Sequence, residues 1–167
     1  VIEAAYQNAQ LREQEVPLAS IPDAVQNRLT VDISLEGVTE LVIPQATVLK
    51  MQQTQADYNF YYQGIVLTIS ADTIAACDGD MDLKVFIQRT PDFGAGFDAL
   101  YLKKRNAAVL DQAVINVVLS ADKAGNIAYI FGKDAQSGYQ LLYTEQISEL
   151  GTAVISADSN EEYLILY

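Results

Sequence analysis

The chain has 167 residues and a formal net charge of −12, and half of its residues are hydrophobic. This length is sufficient for one domain with a core, and the hydrophobic content argues against intrinsic disorder. Nucleic-acid binding depends on Lys and Arg contacts, so a charge this negative excludes nucleic acid as a partner, and it equally disfavours anionic membranes. No apolar run approaches the roughly 18 residues of a membrane-spanning helix, so no membrane insertion is expected.

The first 28 residues differ from the rest of the chain. Residues 1–14 are rich in Ala, Gln and Glu, which favour helix, and the segment from Glu15 to Pro22 carries two prolines. We therefore expect an N-terminal helix and an extended linker over residues 1–28. Residues 29–167 are expected to form a β-rich module, divided into two halves (29–90 and 100–167) that share a core.

Alternation of apolar and polar residues dominates the first half of this module. Leu29, Val31, Ile33 and Leu35 occupy every second position, which is typical of a strand with one solvent-facing side. Asp72 is expected to cap a short helix. The elements predicted here are strands over 29–35, 41–43, 58–62, 65–69 and 81–87, and short helices over 45–56 and 73–77.

The second half is predicted to contain strands almost exclusively. The segment Pro91–Phe97 is expected to be a loop that separates the halves, and strands follow over 100–103, 113–119, 127–131, 139–143, 153–155 and 163–167. Residues 113–119 are apolar on both faces, which indicates an inner position in a sheet. Short strands at this spacing predict a mainly β fold with antiparallel, sandwich-like layers and one or two short helices in the first half.

Histidine is absent, and Cys77 is the single cysteine. A Ser–His–Asp or Cys–His catalytic site and the usual zinc ligand sets are therefore excluded. Paired carboxylates remain available for a small acid-pair hydrolase, but 22 acidic residues could pair almost anywhere, so their number has no diagnostic value. The sequence predicts that the protein is not an enzyme.

Asp78, Asp80 and Asp82 alternate in a way that offers oxygen ligands to calcium. An EF-hand loop starting at Asp78 would need Gly and Glu where Leu83 and Arg89 stand, so that motif is excluded. A looser calcium site remains as a candidate. The preferred interpretation is an acidic turn before the next strand, with no cofactor.

Aromatic residues supply the candidates for ligand binding. Phe93 and Phe97 flank the small residues 94–96, and they either stack on a partner or fold back over the core. On a strand, Tyr61 should point away from the side that Tyr58 and Tyr62 share, so it approaches solvent. Phe93, Phe97 and Tyr61 are therefore the predicted ligand-binding residues. The absence of Trp weakens the case for a glycan.

A pattern of strands, one helix and glycine turns occurs over Val38 to Pro44, Val48-Leu49, Ile65 to Ala75, Met81 to Val85, Ala124 to Phe131, Ser137 to Leu142, Thr152 to Ile155 and Ser159 to Leu166. This pattern resembles a module of large surface proteins from Gram-positive, Firmicute-type bacteria, which often also carry immunoglobulin-like repeats and cell-wall or S-layer anchors. A histidine that many relatives have shortly before the last strand is missing here. The resemblance implies an extracellular location and a stalk, spacer or adhesive role, without transferable functional residues.

Together these patterns predict a non-catalytic structural or interaction module of a bacterial cell-surface or secreted multidomain protein. Its expected partners are neighbouring domains of the same polypeptide. The alternative is an adhesive module that binds a glycan, a host protein or a cell-wall protein through exposed aromatic residues.

Overall fold

The computed structural model describes residues 29–105 and 107–167, so the predicted N-terminal helix and linker (1–28) lie outside the described residues. The strands are β1 (Thr30–Ser34), β2 (Val42–Ile43), β3 (Asp57–Tyr62), β4 (Ile65–Ile69), β5 (Met81–Asp82), β6 (Val85–Gly94), β7 (Phe97–Lys104), β8 (Val114–Val118), β9 (Ile127–Lys133), β10 (Gln140–Gln146), β11 (Thr152–Ser156) and β12 (Glu162–Leu166). The helices are α1 (Gln45–Thr54), α2 (Ala71–Ala75) and α3 (Ala107–Leu110), with a 3-10 turn at Ala121–Lys123. None of these described helices is long and apolar enough to cross a membrane.

Ten of these strands form two five-stranded sheets. Sheet I has the order β1-β3-β4-β8-β11, sheet II has the order β10-β9-β12-β7-β6, and β2 and β5 form a short separate ribbon. All pairs are antiparallel except β1 and β3, which run parallel. The predicted mainly β, sandwich-like fold with few short helices is confirmed.

A single hydrophobic core joins the two sheets. Most strands bury every second side chain, so Ile33 and Phe60 of sheet I and Leu102 and Ile165 of sheet II belong to one cluster of buried residues. Both halves of the chain contribute strands to each sheet. The inner position predicted for residues 113–119 is confirmed, because β8 lies between β4 and β11.

The loop predicted over Pro91–Phe97 is wrong, because this segment is the tip of a β-hairpin. β6 continues to Gly94, which pairs with Phe97 at the start of β7. The two residues between them, Ala95 and Gly96, both have positive φ (52° and 83°), which is the backbone of a tight two-residue hairpin turn. The glycines that indicated a loop between two halves instead belong to the turn of one long hairpin.

The helix cap predicted at Asp72 is also wrong. Helix α2 begins one residue after Ser70, and the Ser70 hydroxyl accepts a hydrogen bond from the backbone N–H of Thr73 at 3.2 Å. Asp72 lies in the first turn of the helix, where a negative charge is favourable. Serine and aspartate are both good helix caps, so the sequence alone could not decide between Ser70 and Asp72.

The strand predicted over residues 81–87 is interrupted at Leu83. The backbone N–H of Leu83 donates to the carbonyl of Leu41 beside the short ribbon, and its own carbonyl accepts the hydroxyl of Tyr62 at 2.6 Å. Lys84 then donates its N–H to the Asp82 side chain at 3.0 Å. These bonds divide the alternating segment between the β2–β5 ribbon and sheet II.

Side chains of β10 cover the outer edge of sheet I at β11. The N–H of Val154 donates to Glu145 Oε2 at 2.8 Å, and the hydroxyl of Tyr143 donates to the Val154 carbonyl at 3.1 Å. The N–H of Ser156 donates to the same Tyr143 hydroxyl at 3.1 Å. These bonds join the two sheets along one side and satisfy backbone groups that an open edge would offer to another strand.

Candidate functional site

Of the three aspartates proposed as calcium ligands, Asp78 and Asp80 lie in the segment that connects α2 to β5, and Asp82 is the last residue of β5. Asp80 Oδ1 accepts the backbone N–H of Gln45 at 2.8 Å and so fixes the start of α1. Asp82 binds Lys84 through its backbone N–H and, at 3.6 Å, through its ammonium group. Within residues 29–105 and 107–167, no group of three or more acidic or cysteine side chains is arranged to hold a metal ion. The contacts of Asp80 and Asp82 are structural, and Asp78 is exposed.

The structure places the three predicted ligand-binding aromatics on different surfaces. Tyr61 lies on the outer face of sheet I with 40% of its surface exposed, opposite to the buried Tyr58 and Tyr62, as the alternation predicts. Phe93 is 54% exposed near the end of β6. Phe97 is half-buried at the start of β7, so of the two rings at the hairpin tip only Phe93 is freely displayed.

The outer face of sheet II is a broad apolar surface. Tyr101, Leu164, Phe131 and Leu141 lie side by side across β7, β12, β9 and β10, because the strand register pairs each with the next. Leu141 is 53% exposed, and the other three side chains are partly exposed. The apolar face, as we call it, is this row together with the neighbouring row formed by Ala99, Leu166 and Tyr129.

A charged cluster borders the apolar face on one side. Glu162 lies between two lysines, with Lys103 Nζ at 3.3 Å and Lys133 Nζ at 3.7 Å, and it accepts the hydroxyl of Tyr139 at 3.1 Å. Partial burial raises the pKa of the Glu162 carboxyl, but the hydrogen bond and the two ammonium groups outweigh burial, so the pKa lies below its usual value. An apolar centre beside a polar margin is the usual composition of a protein interface.

A cleft of about 440 Å³ borders the apolar face on the opposite side. Its wall includes Phe97 and Tyr129, whose rings meet edge to face at a centroid distance of 5.7 Å, and the exposed residue Asn126. Lys123 Nζ lies 3.5 Å from Asp98 Oδ2 at the same end of the sheet. Aromatic surface, the ammonium group of Lys123 and the amide of Asn126 therefore line one depression, and Asp98 lies beside it.

No protein family, characterised protein or solved structure matches the chain. The resemblance drawn from the strand pattern therefore stays a prediction. The function of the apolar face and of the cleft is therefore inferred from the residues and geometry of each.

The chemistry of Cys77 does not favour nucleophilic catalysis. Burial raises the pKa of the thiol, and the nearby carboxylates of Asp78 and Asp80 raise it further. The thiolate is the reactive form of cysteine, so this environment keeps the side chain in its unreactive, protonated form at neutral pH.

Sequence reasoning identified Phe97 but missed most of the apolar face. The missed signal is that several strands of sheet II are apolar at consecutive positions, as in residues 163–167 (Tyr-Leu-Ile-Leu-Tyr) and 127–131 (Ile-Ala-Tyr-Ile-Phe). In a two-layer fold only one side of such a strand can face the core. The second apolar side had to lie on an outer surface.

Proposed function

We propose that this protein is a non-catalytic interaction module that docks a protein surface on the apolar face of sheet II, within a multidomain bacterial cell-surface or secreted protein. The observation that carries the proposal is the apolar face itself, with its central row Tyr101, Leu164, Phe131 and Leu141. The absence of histidine and the raised pKa of Cys77 support a role without catalysis. The surface location follows from the strand resemblance alone.

A protein partner fits the apolar face better than an extended glycan does. An extended glycan needs several flat, accessible rings in a row, but in the central row Leu164 separates the rings of Tyr101 and Phe131. The Tyr101 ring also meets that of Phe86 at a steep angle of 68°. Mixed aromatic and aliphatic surfaces with polar margins are typical of contacts between proteins.

The size of the apolar face favours a tethered partner. Four strands about 4.8 Å apart and two side-chain rows about 7 Å apart give an area on the order of 270 Å². This is roughly a third of what each partner contributes to a standard interface between free proteins. A neighbouring domain of the same polypeptide is held at an effective concentration of about millimolar, so a weak contact is sufficient.

The net charge argues against a second copy as the occupant. Each chain carries −12, and long-range repulsion between two such copies opposes the weak attraction that a face of this size supplies. A neighbouring domain avoids this repulsion if its own charge is lower or of opposite sign. The proposal therefore commits to a neighbouring domain.

A tryptophan reporter tests the proposal, because the chain contains no tryptophan. Leu141→Trp places a single fluorophore on the apolar face, and Val114→Trp places one on the outer face of sheet I, where Val114 is 41% exposed. We expect the Leu141→Trp emission to shift to shorter wavelength, and its quenching by acrylamide to fall several-fold, when the chain is measured within its parent polypeptide. The Val114→Trp control should change little.

Three results would contradict the proposal. Leu141→Trp could show the same emission and quenching in the isolated chain and in the parent polypeptide. Both reporters could change equally, which would indicate a general effect of the longer chain. Finally, the isolated Leu141→Trp chain could shift as its own concentration rises, which would identify a second copy as the occupant.

A further inference from the structure

The cleft beside the apolar face combines features that a small ligand needs. It is an open depression of about 440 Å³ between the turn of the β6–β7 hairpin and the turn at Gly125-Asn126. Phe97, Tyr129 and Tyr167 supply apolar ring surface. Small-molecule sites usually pair apolar walls with a few polar groups that fix orientation.

The charged groups at the cleft neutralise each other. Lys123 Nζ lies 3.5 Å from Asp98 Oδ2, while Asp98 Oδ1 accepts the backbone N–H of Asp92 at 2.9 Å. These two contacts hold the pKa of Asp98 below its usual value, so the carboxylate is ionised at neutral pH and balances the lysine. A free anion would meet this carboxylate, and a free cation would meet the ammonium group.

Polar hydrogen-bonding capacity remains unused in the cleft. Asn126 is exposed, and its side-chain amide has no hydrogen-bond partner among the residues that the structure describes. The amide offers both donors and an acceptor, and the ammonium group of Lys123 adds a donor. A wholly apolar ligand would cover these groups without satisfying them, which is unfavourable.

We propose that this cleft binds a neutral saccharide. The apolar C–H face of a sugar ring would lie against Phe97 or Tyr129, and its hydroxyl groups would bond to Asn126 and Lys123. A saccharide is the ligand class that presents an apolar face and many uncharged donors and acceptors together. Asn126 and Lys123 lie outside the apolar face, whereas Tyr129 belongs to both surfaces, so saccharide binding is tested on the isolated chain.

Titration of the ¹⁵N-labelled chain, observed by NMR, tests the proposal with glucose, N-acetylglucosamine and maltose as probes. Concentrations on the order of 100 mM are needed, because small sites of this kind bind at about millimolar affinity. We expect saturable shifts centred on the backbone amides of Gly96, Gly125 and Asn126. Inorganic phosphate, titrated separately, should leave these signals unchanged.

Substitutions separate specific binding from a general solvent effect. Asn126→Ala removes hydrogen bonds at an exposed position and should weaken binding roughly fivefold. Phe97→Leu keeps an apolar side chain but removes the ring, and it should also weaken binding. Gln88→Ala, an exposed residue of the same sheet outside the cleft, is the matched control and should bind as the unmodified chain does.

Two results would overturn the saccharide proposal. One is the absence of saturable shifts at the cleft amides with all three sugars. The other is equal binding by the Asn126→Ala and Gln88→Ala chains. Docking of a neighbouring domain is tested separately by the Leu141→Trp emission. A negative result in one experiment therefore does not decide the other proposal.

Discussion

The burial of the Lys104 ammonium group leads to a specific prediction about the free energy of unfolding. The Lys104 side chain is fully buried at the end of β7, where Nζ donates to Asp111 Oδ1 at 2.7 Å and to the carbonyl of Asp158. It also lies 5.7 Å from the ring centre of Tyr163. Burial of a charge costs several kcal/mol, so these partners are needed to offset its desolvation. Removing the partner should therefore destabilise the fold more than removing the charge itself.

The two substitutions differ in what they leave behind. Asp111→Ala leaves the buried ammonium group without its counter-charge, and complete loss of such a partner costs about 3–5 kcal/mol. The Asp111 side chain is 33% exposed, so water already screens part of the pair, and we expect a loss of about 2–3 kcal/mol. Lys104→Met keeps the apolar stem and removes the charge, so its cost should stay within about 1 kcal/mol.

Urea unfolding followed by circular dichroism measures both losses. Asp111→Ala should also lower the melting temperature by about 5–10 °C for a domain of this size. The double variant Lys104→Met/Asp111→Ala should be close in stability to Lys104→Met alone, because the carboxylate has no charge to balance. If Lys104→Met proves as costly as Asp111→Ala, or costlier, the ammonium group stabilises the fold and the reasoning is refuted.

Two further predictions concern a turn and a carboxylate. Gly151→Ala should cost about 2–4 kcal/mol in urea unfolding, since φ is +74° and a Cβ would lie 2.4 Å from the Ser120 backbone. Gly138→Ala, which meets open space, should change stability by less than about 0.5 kcal/mol, and equal losses would contradict the first expectation. Burial raises the pKa of Asp158, but hydrogen bonds from Tyr163 and Asn160 outweigh it and leave the pKa lowered. The unfolded chain therefore binds this proton first, and stability falls as the pH drops below about 4 through the folded pKa. Asp158→Asn should flatten that part of the urea-midpoint profile, and an unchanged slope would contradict the assignment.

Much of the fold could be predicted because alternation is a local property. The strands at β1, β4 and β8 follow from side chains that share a face at every second position, and the inner place of β8 follows from its two apolar faces. The parallel pairing of β1 with β3 could not be predicted in this way. Strand order depends on which distant segments fit together, and alternation within a segment carries no information about that.

The burial of Lys104 is a feature of the core that the sequence did not predict. Lys103, Lys104 and Arg105 form a run of three basic residues, and such a run is usually a solvated surface. Strand alternation instead sends Lys103 outward and Lys104 inward. The inward lysine is acceptable only because Asp111 and Asp158, which are distant from each other in sequence, meet it at the end of the sandwich.

The candidate site depends on the same long-range information. Phe97 could be proposed from its place beside two glycines, but its neighbours in the cleft come from residues 123–129 and from the end of the chain. They meet only because β12 lies between β7 and β9, with Leu166 opposite both Ala99 and Tyr129. This strand order brings β7, β12 and β9 together, and no short sequence motif predicts it.

The outer faces of the two sheets differ in the polarity of their side chains, and this difference supports the interpretation of the apolar face. On sheet I, the outward residues Asn59, Thr68 and Asn116 interrupt the apolar ones, as expected for a surface in contact with water. On sheet II, Leu164 and Leu166 of β12 continue an apolar row across neighbouring strands. A strand in a two-layer sandwich needs only one apolar side to fold. The two described layers therefore do not require the second apolar side of β12, and those leucines are the physical basis of the docking proposal.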